Sequence, residues 1–130
     1  AGATVGRIER GLLVLVCAEP ADTDDHARRL VDKLLKLRLF ADEAGKMNRS
    51  VVDVGGALLI VSQFTLYGDT RKGRRPSWVD AARPEHAEPL VDRVVDQLVA
   101  LGARVETGRF RTSMQVELVN DGPVTLMLEL

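Results

Sequence analysis

Ala57-Leu58-Leu59-Ile60-Val61-Ser62-Gln63-Phe64-Thr65-Leu66-Tyr67-Gly68-Asp69 is the stretch on which the fold turns. Its apolar half, Ala57 to Val61, is too short for a helix and follows Gly55-Gly56, so it predicts a buried strand. That strand delivers Ser62 to its end, followed at once by an amide, an aromatic ring and a hydroxyl. Working outward, Arg71-Lys72-Gly73-Arg74-Arg75 places four cations in five residues, and Gly73 and then Pro76 exclude a helix there. A basic loop therefore lies just beyond the strand end.

Upstream, residues 11 to 18 form a second apolar run that predicts a buried strand. Asp22 or Thr23 can cap a following helix, with Asp24 and Asp25 in the first turn, where the helix dipole favours acids. Ala27, Leu30, Val31, Leu34 and Leu35 recur at helical spacing and predict a core-facing stripe on a helix extending to about Leu39. The polar connection from Ala41 to Gly56 is long for a compact domain unless it holds a short strand, for which Val51, Val52 and Val54 are candidates. Downstream, Pro84 to Leu101 predicts a second helix, its regular part beginning later if Pro89 interferes, with Gly102 at its stop. Thereafter the period is two. Met114, Val116 and Leu118, then Val124, Leu126, Leu128 and Leu130, predict half-buried strands joined at Asn120-Asp121-Gly122-Pro123. The expected fold is one mixed α/β domain, strand-rich, with two main helices covering one side.

Composition bounds the function. At 130 residues the chain forms one domain, large enough to bury about two-thirds of its unfolded surface. With 45% hydrophobic and 28% charged residues it has an ordinary soluble composition. No apolar stretch approaches the roughly 20 residues of a membrane span, and Ala1-Gly2-Ala3-Thr4 lacks the pattern of a signal peptide, so a cytoplasmic protein is expected. The lone Cys17 lies in an apolar run and is expected to be a buried, inert thiol. A net charge of −1 argues against nucleic-acid binding over the whole surface, which leaves the basic loop as the place for it.

Several chemistries lack their residues. His26 and His86 sit near predicted helix starts, so neither a Ser-His-Asp triad nor a Cys-His pair has an evident base. One cysteine and two separated histidines give no zinc spacing, and there is neither a phosphate loop nor a dinucleotide fingerprint. No metal or cofactor is expected. What remains is a set of neutral hydrogen-bonding groups: Ser62, Gln63 and Thr65, the amides around Phe64, and the backbone around Gly122-Pro123. Donors aimed at a developing oxyanion can each contribute about 3 to 4 kcal/mol with no titratable base.

Ser62-Gln63-Phe64-Thr65-Leu66-Tyr67-Gly68-Asp69 and Asn120-Asp121-Gly122-Pro123-Val124-Thr125 together resemble the D-aminoacyl-tRNA deacylases, as do Gly73-Arg74-Arg75-Pro76-Ser77-Trp78 and Val105-Glu106-Thr107-Gly108-Arg109-Phe110. The resemblance spans almost the whole chain. It implies a layered sheet/sheet/helix fold and hydrolysis of the ester joining a D-amino acid, and also glycine, to tRNA. It implies that Ser62, Gln63, Phe64 and Thr65 form the catalytic pocket, with Gln63 and the Phe64 amide as carbonyl donors. Thr65 is expected to position rather than attack, since nothing in the sequence supplies its base. Gly122-Pro123 matches a cis Gly-Pro motif whose carbonyls approach the substrate α-carbon from the partner subunit of a homodimer with shared sites, admitting D-residues and rejecting L side chains. Local sequence alone favours a simple turn there, and the matching Ser62 segment reverses that preference. Met114 and Gln115 match a stretch near the pocket, although Met114 is by period equally a core residue. Arg71, Lys72, Arg74 and Arg75 are candidates for tRNA phosphates, or for acidic groups across a dimer interface. Relatives begin with a further strand carrying an arginine that braces the Gly-Pro loop, and the resemblance implies that residues 1–130 are a single deacylase domain lacking that strand, of about fifteen residues, and opening in what would be the second. The alternative functions are a noncatalytic module that holds a tRNA end with the basic loop and Trp78, and a general esterase or amidase.

Overall fold

The structure is a computed structural model and describes residues 3–110, 112–121 and 124–130. Strand β1 (Gly11–Val16) leads into helix α1 (Asp24–Lys36). The short strands β2 (Phe40–Ala41) and β3 (Met47–Arg49) form an antiparallel hairpin. Strand β4 (Ala57–Ser62), helix α2 (Pro84–Ala100) and strand β5 (Arg104–Thr107) complete the regular elements. Three strands make one parallel sheet in the order β1-β4-β5, so the stretch that predicted the strand lies at its centre. The register pairs Val16 with Ser62 and Ile60 with Thr107, bringing the ends of all three strands together. Gly11 is required where β1 meets β4, because a Cβ there would lie 1.8 Å from the Ala57 carbonyl oxygen.

Both helices pack on one face of this sheet. Ala27, Val31 and Leu34 of α1 and Val91, Val94 and Leu98 of α2 close over Leu58 and Ile60 of β4, together with the fully buried Val51. The pleat sends Leu58 and Ile60 to this face and Leu59 and Val61 to the other. Burying side chains of this size stabilises by about 1.5–3 kcal/mol each. The mixed class with two helices and two sheets therefore agrees with expectation, and so does the stripe on α1.

Three features differ from the sequence reading, each for a local reason, while the start of α2 at Pro84 agrees with it. Helix α1 stops at Lys36, where Leu37 takes an extended backbone, rather than at Leu39. Helix α2 starts at Pro84 itself: proline at a first helical position loses no bond, and Pro89 is accommodated inside. The short strand in the long connection is Met47–Arg49, not the valines. Ser50 and Asp53 instead cap each other, Ser50 N–H donating to Asp53 Oδ2 at 2.9 Å and Asp53 N–H to Ser50 Oγ at 3.1 Å, which folds Val51–Gly55 into a turn. Finally, residues 112–121 and 124–130 run without strand pairing. Their alternation survives in part, Met114, Val124 and Leu128 being half-buried while Leu118, Val119, Leu126 and Met127 are exposed. Period two shapes an amphipathic extended chain, but a ladder needs a partner edge that the pattern does not supply.

Candidate active site

Ser62 is the last residue of the central strand, and its neighbour is held against β1 by a hydrogen bond from Gln63 N–H to the Val16 carbonyl at 2.8 Å. The chain then turns through a single 3-10 helix, Phe64–Tyr67. Its first internal bond runs from Leu66 N–H to the Gln63 carbonyl, so the Phe64 and Thr65 amides lie ahead of it. The Gln63 side chain folds over this turn, Nε2 donating to Thr65 Oγ1 at 2.5 Å. Two of the four predicted pocket residues, Gln63 and Thr65, are thus tied together, with the exposed Phe64 ring between them and Ser62 just before them in the chain.

A cleft of about 320 Å³ opens on the helix side of β4 and includes Ser62, bounded by Thr107, Gly108 and Phe110 after β5 and by Val91, Asp92, Val95 and Asp96 of α2. The sequence placed none of Asp92, Asp96 or Thr107 beside Ser62. The available signal was the four-residue spacing of the two acids on α2, which puts them on one helical face. On the opposite face of the sheet Met114 packs against Gly108, where a Cβ would come within 2.9 Å of its sulfur, and near Val61. It therefore lies by the strand ends while serving as packing. Gln115 is exposed. Gly122 and Pro123, and with them the expected cis peptide, lie outside the described residues. Asn120 Nδ2 donates to Thr125 Oγ1 at 2.9 Å.

Under the 3-10 turn, Cys17 Sγ donates to the Phe64 carbonyl at 3.5 Å. Burial pushes its thiol up to about 11, so it remains protonated at neutral pH and acts as a donor. Tyr67 is likewise held above its ordinary range, first by burial and then by the Glu19 carboxylate beside it. The histidines have structural duties. Thr23 N–H donates to His26 Nδ1 at 3.1 Å at the start of α1, and His86 Nε2 donates to the Asp22 carbonyl at 2.8 Å, joining α2 to the loop after β1. Among the described residues no group of three His, Cys, Asp or Glu side chains could hold a metal, and no helix is long and apolar enough to cross a membrane.

The basic loop is closed by two backbone hydrogen bonds between Asp69 and Ser77, at 2.7 and 2.8 Å. Arg71 is turned back into it: its Nε and terminal nitrogen meet the two Asp69 carboxylate oxygens at 3.0 and 2.7 Å. Lys72, Arg74 and Arg75 are exposed and form no ion pair among the described residues. The four candidate cations are therefore two kinds, one a brace and three available.

A family model described as D-Tyr-tRNA(Tyr) deacylase matches residues 1–129. The chain belongs to this deacylase family. The D-aminoacyl-tRNA deacylase of Paracidovorax citrulli is 64% identical over 129 residues, covering 99% of this chain and 83% of that protein. The D-aminoacyl-tRNA deacylase of Halalkalibacterium halodurans is 58% identical over 128 residues, 98% and 88% of the two chains. Among solved structures, one described as a c-Myc DNA unwinding element binding protein superposes with a TM-score of 0.86 at 40% identity, covering 94% of this chain and 83% of that one. A probable eukaryotic D-amino acid tRNA deacylase, at 20% identity and a TM-score of 0.70, shares the fold. Deacylase family membership makes the chain a hydrolase, and the Ser62–Thr65 array is its candidate centre.

Proposed function

We propose that this deacylase hydrolyses the ester bond of D-aminoacyl-tRNA, releasing free tRNA and the D-amino acid, and that it accepts Gly-tRNA as well. The observation that carries the reading is the array of neutral donors at the end of the central strand in a chain matched along its length by the deacylase family. An aminoacyl ester is already reactive. It needs an oriented carbonyl and a stabilised oxyanion more than a strong base, and Gln63 with the Phe64 amide can offer both donors. The adjacent ribose hydroxyl of the substrate orients the water or assists its attack, and Thr65 positions the ester.

Chirality is read by exclusion. Gly122 lets the backbone approach the α-carbon closely, leaving room for hydrogen but not for an L side chain, so many D-amino acids are accepted. The sites are completed by a second copy in a homodimer, which would also cover the exposed Leu118, Val119, Leu126 and Met127.

The test is hydrolysis of D-Tyr-tRNA, Gly-tRNA and L-Tyr-tRNA by the purified protein. Release from the first two alone is the expected result. Binding of tRNA with all three esters left intact would reduce the protein to a noncatalytic module. Gly122→Ala is expected to lower D-substrate turnover, and unchanged turnover would remove the backbone filter. Light scattering at micromolar concentration should give a dimer mass.

A further inference from the structure

The Phe64 and Trp78 rings take no part in the hydrolysis derived above, yet they meet beside the basic loop. Phe64 is 55% exposed on the outer side of the 3-10 turn. Its ring centroid lies 5.9 Å from that of Trp78, with the planes inclined at 49°. Trp78 is half-buried against Gly68, its Cζ3 about 4.0 Å from where a Cβ would stand. It also follows Ser77 directly, so the bridge that closes the basic loop anchors the ring as well. Gly73, at φ +70°, makes the turn that spreads Lys72 and Arg74 along the loop.

We propose that Trp78, edged by Phe64, is a stacking platform for an unpaired nucleobase of the RNA end that carries the ester, while Lys72, Arg74 and Arg75 take its phosphates. This rests on the deacylase reading and deepens it. Single-stranded nucleic acid is bound where a cationic track runs beside an aromatic face, and stacking tolerates any base because every base has a π-face. Charge explains the class of ligand. Three cations without carboxylate partners among the described residues sit next to a half-exposed indole, whereas Arg71 is already neutralised by Asp69 and braces the loop. An acidic protein surface would use the cations but would leave the indole without a role.

Trp78 is the only tryptophan in the chain, so its fluorescence reports this contact directly. The probes are a single-stranded ACCA oligoribonucleotide, the same oligomer with an abasic 3′ residue, and inorganic polyphosphate. Quenching by ACCA and much weaker quenching by the other two is the expected result. Trp78→Ala should raise KM for D-aminoacyl-tRNA by about 10-fold or more with the change falling on KM rather than kcat, and Trp78→Phe should restore most of it. Emission unaltered at saturating ACCA, equal quenching by polyphosphate, or a Trp78→Ala KM within twofold of the parent would overturn the proposal. The two readings fail separately. A protein that quenches with ACCA yet leaves every ester intact keeps the platform and loses the hydrolase, and one that hydrolyses with silent emission loses only the platform.

Discussion

Gln63 Nε2 donates to Thr65 Oγ1 at 2.5 Å, binding together the two side chains on either side of Phe64 at the end of the central strand. The Thr65 oxygen is thereby an acceptor, and its own proton has no base among the hydrogen bonds of either histidine. Thr65→Ala is therefore expected to lower kcat by roughly 10-fold, the worth of one positioned hydrogen bond. Gln63→Ala, which removes a carbonyl donor, should cost about 10²- to 10³-fold. Single-turnover deacylation measures both. Loss of Thr65→Ala activity to the spontaneous rate, together with an acyl-enzyme trapped in the parent, would make Thr65 a nucleophile.

The Asp69 carboxyl lies at about 2, held below the usual carboxylate range by the Arg71 side chain and then by the Arg71 amide. A depressed carboxylate contributes order that is complete above its ordinary value near ~3.9 and is lost as pH falls toward the folded value. The closure of the basic loop should thus hold at neutral pH and weaken between about pH 4 and about pH 2. An NMR titration of the Asp69 carboxyl is expected to centre near 2, and a midpoint near 4 would mean that the clamp does not form in solution. Asp69→Asn should speed hydrogen exchange at the amides of residues 69 and 77 at neutral pH, and the difference from the parent should fade as pH falls from about 4 to about 2.

Leu98 on α2 is 0% exposed beneath the sheet, whereas Val99, the next residue, is 56% exposed. Leu98→Ala should destabilise by about 2–5 kcal/mol in urea unfolding, and Val99→Ala by less than about 0.5 kcal/mol. Gly11→Ala drives a methyl into the Ala57 carbonyl and should destabilise by more than a surface change does, through separation of β1 from β4.

Cys17 is half-buried rather than fully buried as expected, and desolvation still raises its thiol to about 11. Alkylation by iodoacetamide should be slow at pH 8 in the folded protein and should climb only toward pH 11, while urea-unfolded protein reacts with the ordinary thiol profile. Equal rates for folded and unfolded chains at pH 8 would contradict the hydrogen bond to the Phe64 carbonyl.

Sequence and structure agree where a signal is local. The Ala57–Val61 run, the acids at the start of α1 and the helical stripe on α1 each express a preference that a short segment satisfies alone, and each appears where expected; on α2, Val99, expected on the inner side, is exposed. The valines at 51, 52 and 54 misled because Ser50 and Asp53 cap one another, a contact between side chains three apart that overrides strand propensity. Alternation after Gly102 misled in another way, since it states which side chains face inward but not which edge will pair with them.

For the site, the identity of the donors was legible in Ser62-Gln63-Phe64-Thr65, and so was the basic loop. That Arg71 is a brace while its neighbours are free was not, because an arginine chooses a partner by distance. Nor was the meeting of Phe64 with Trp78, fourteen residues apart, or the cleft that sets Asp92 and Asp96 beside Ser62. By itself the amino-acid order determined the family, the strand that ends in the pocket and the kinds of group available to it. Tertiary structure alone decided which of those groups touch, because ion pairs, aromatic pairs and clefts arise from distances between segments that no local preference encodes.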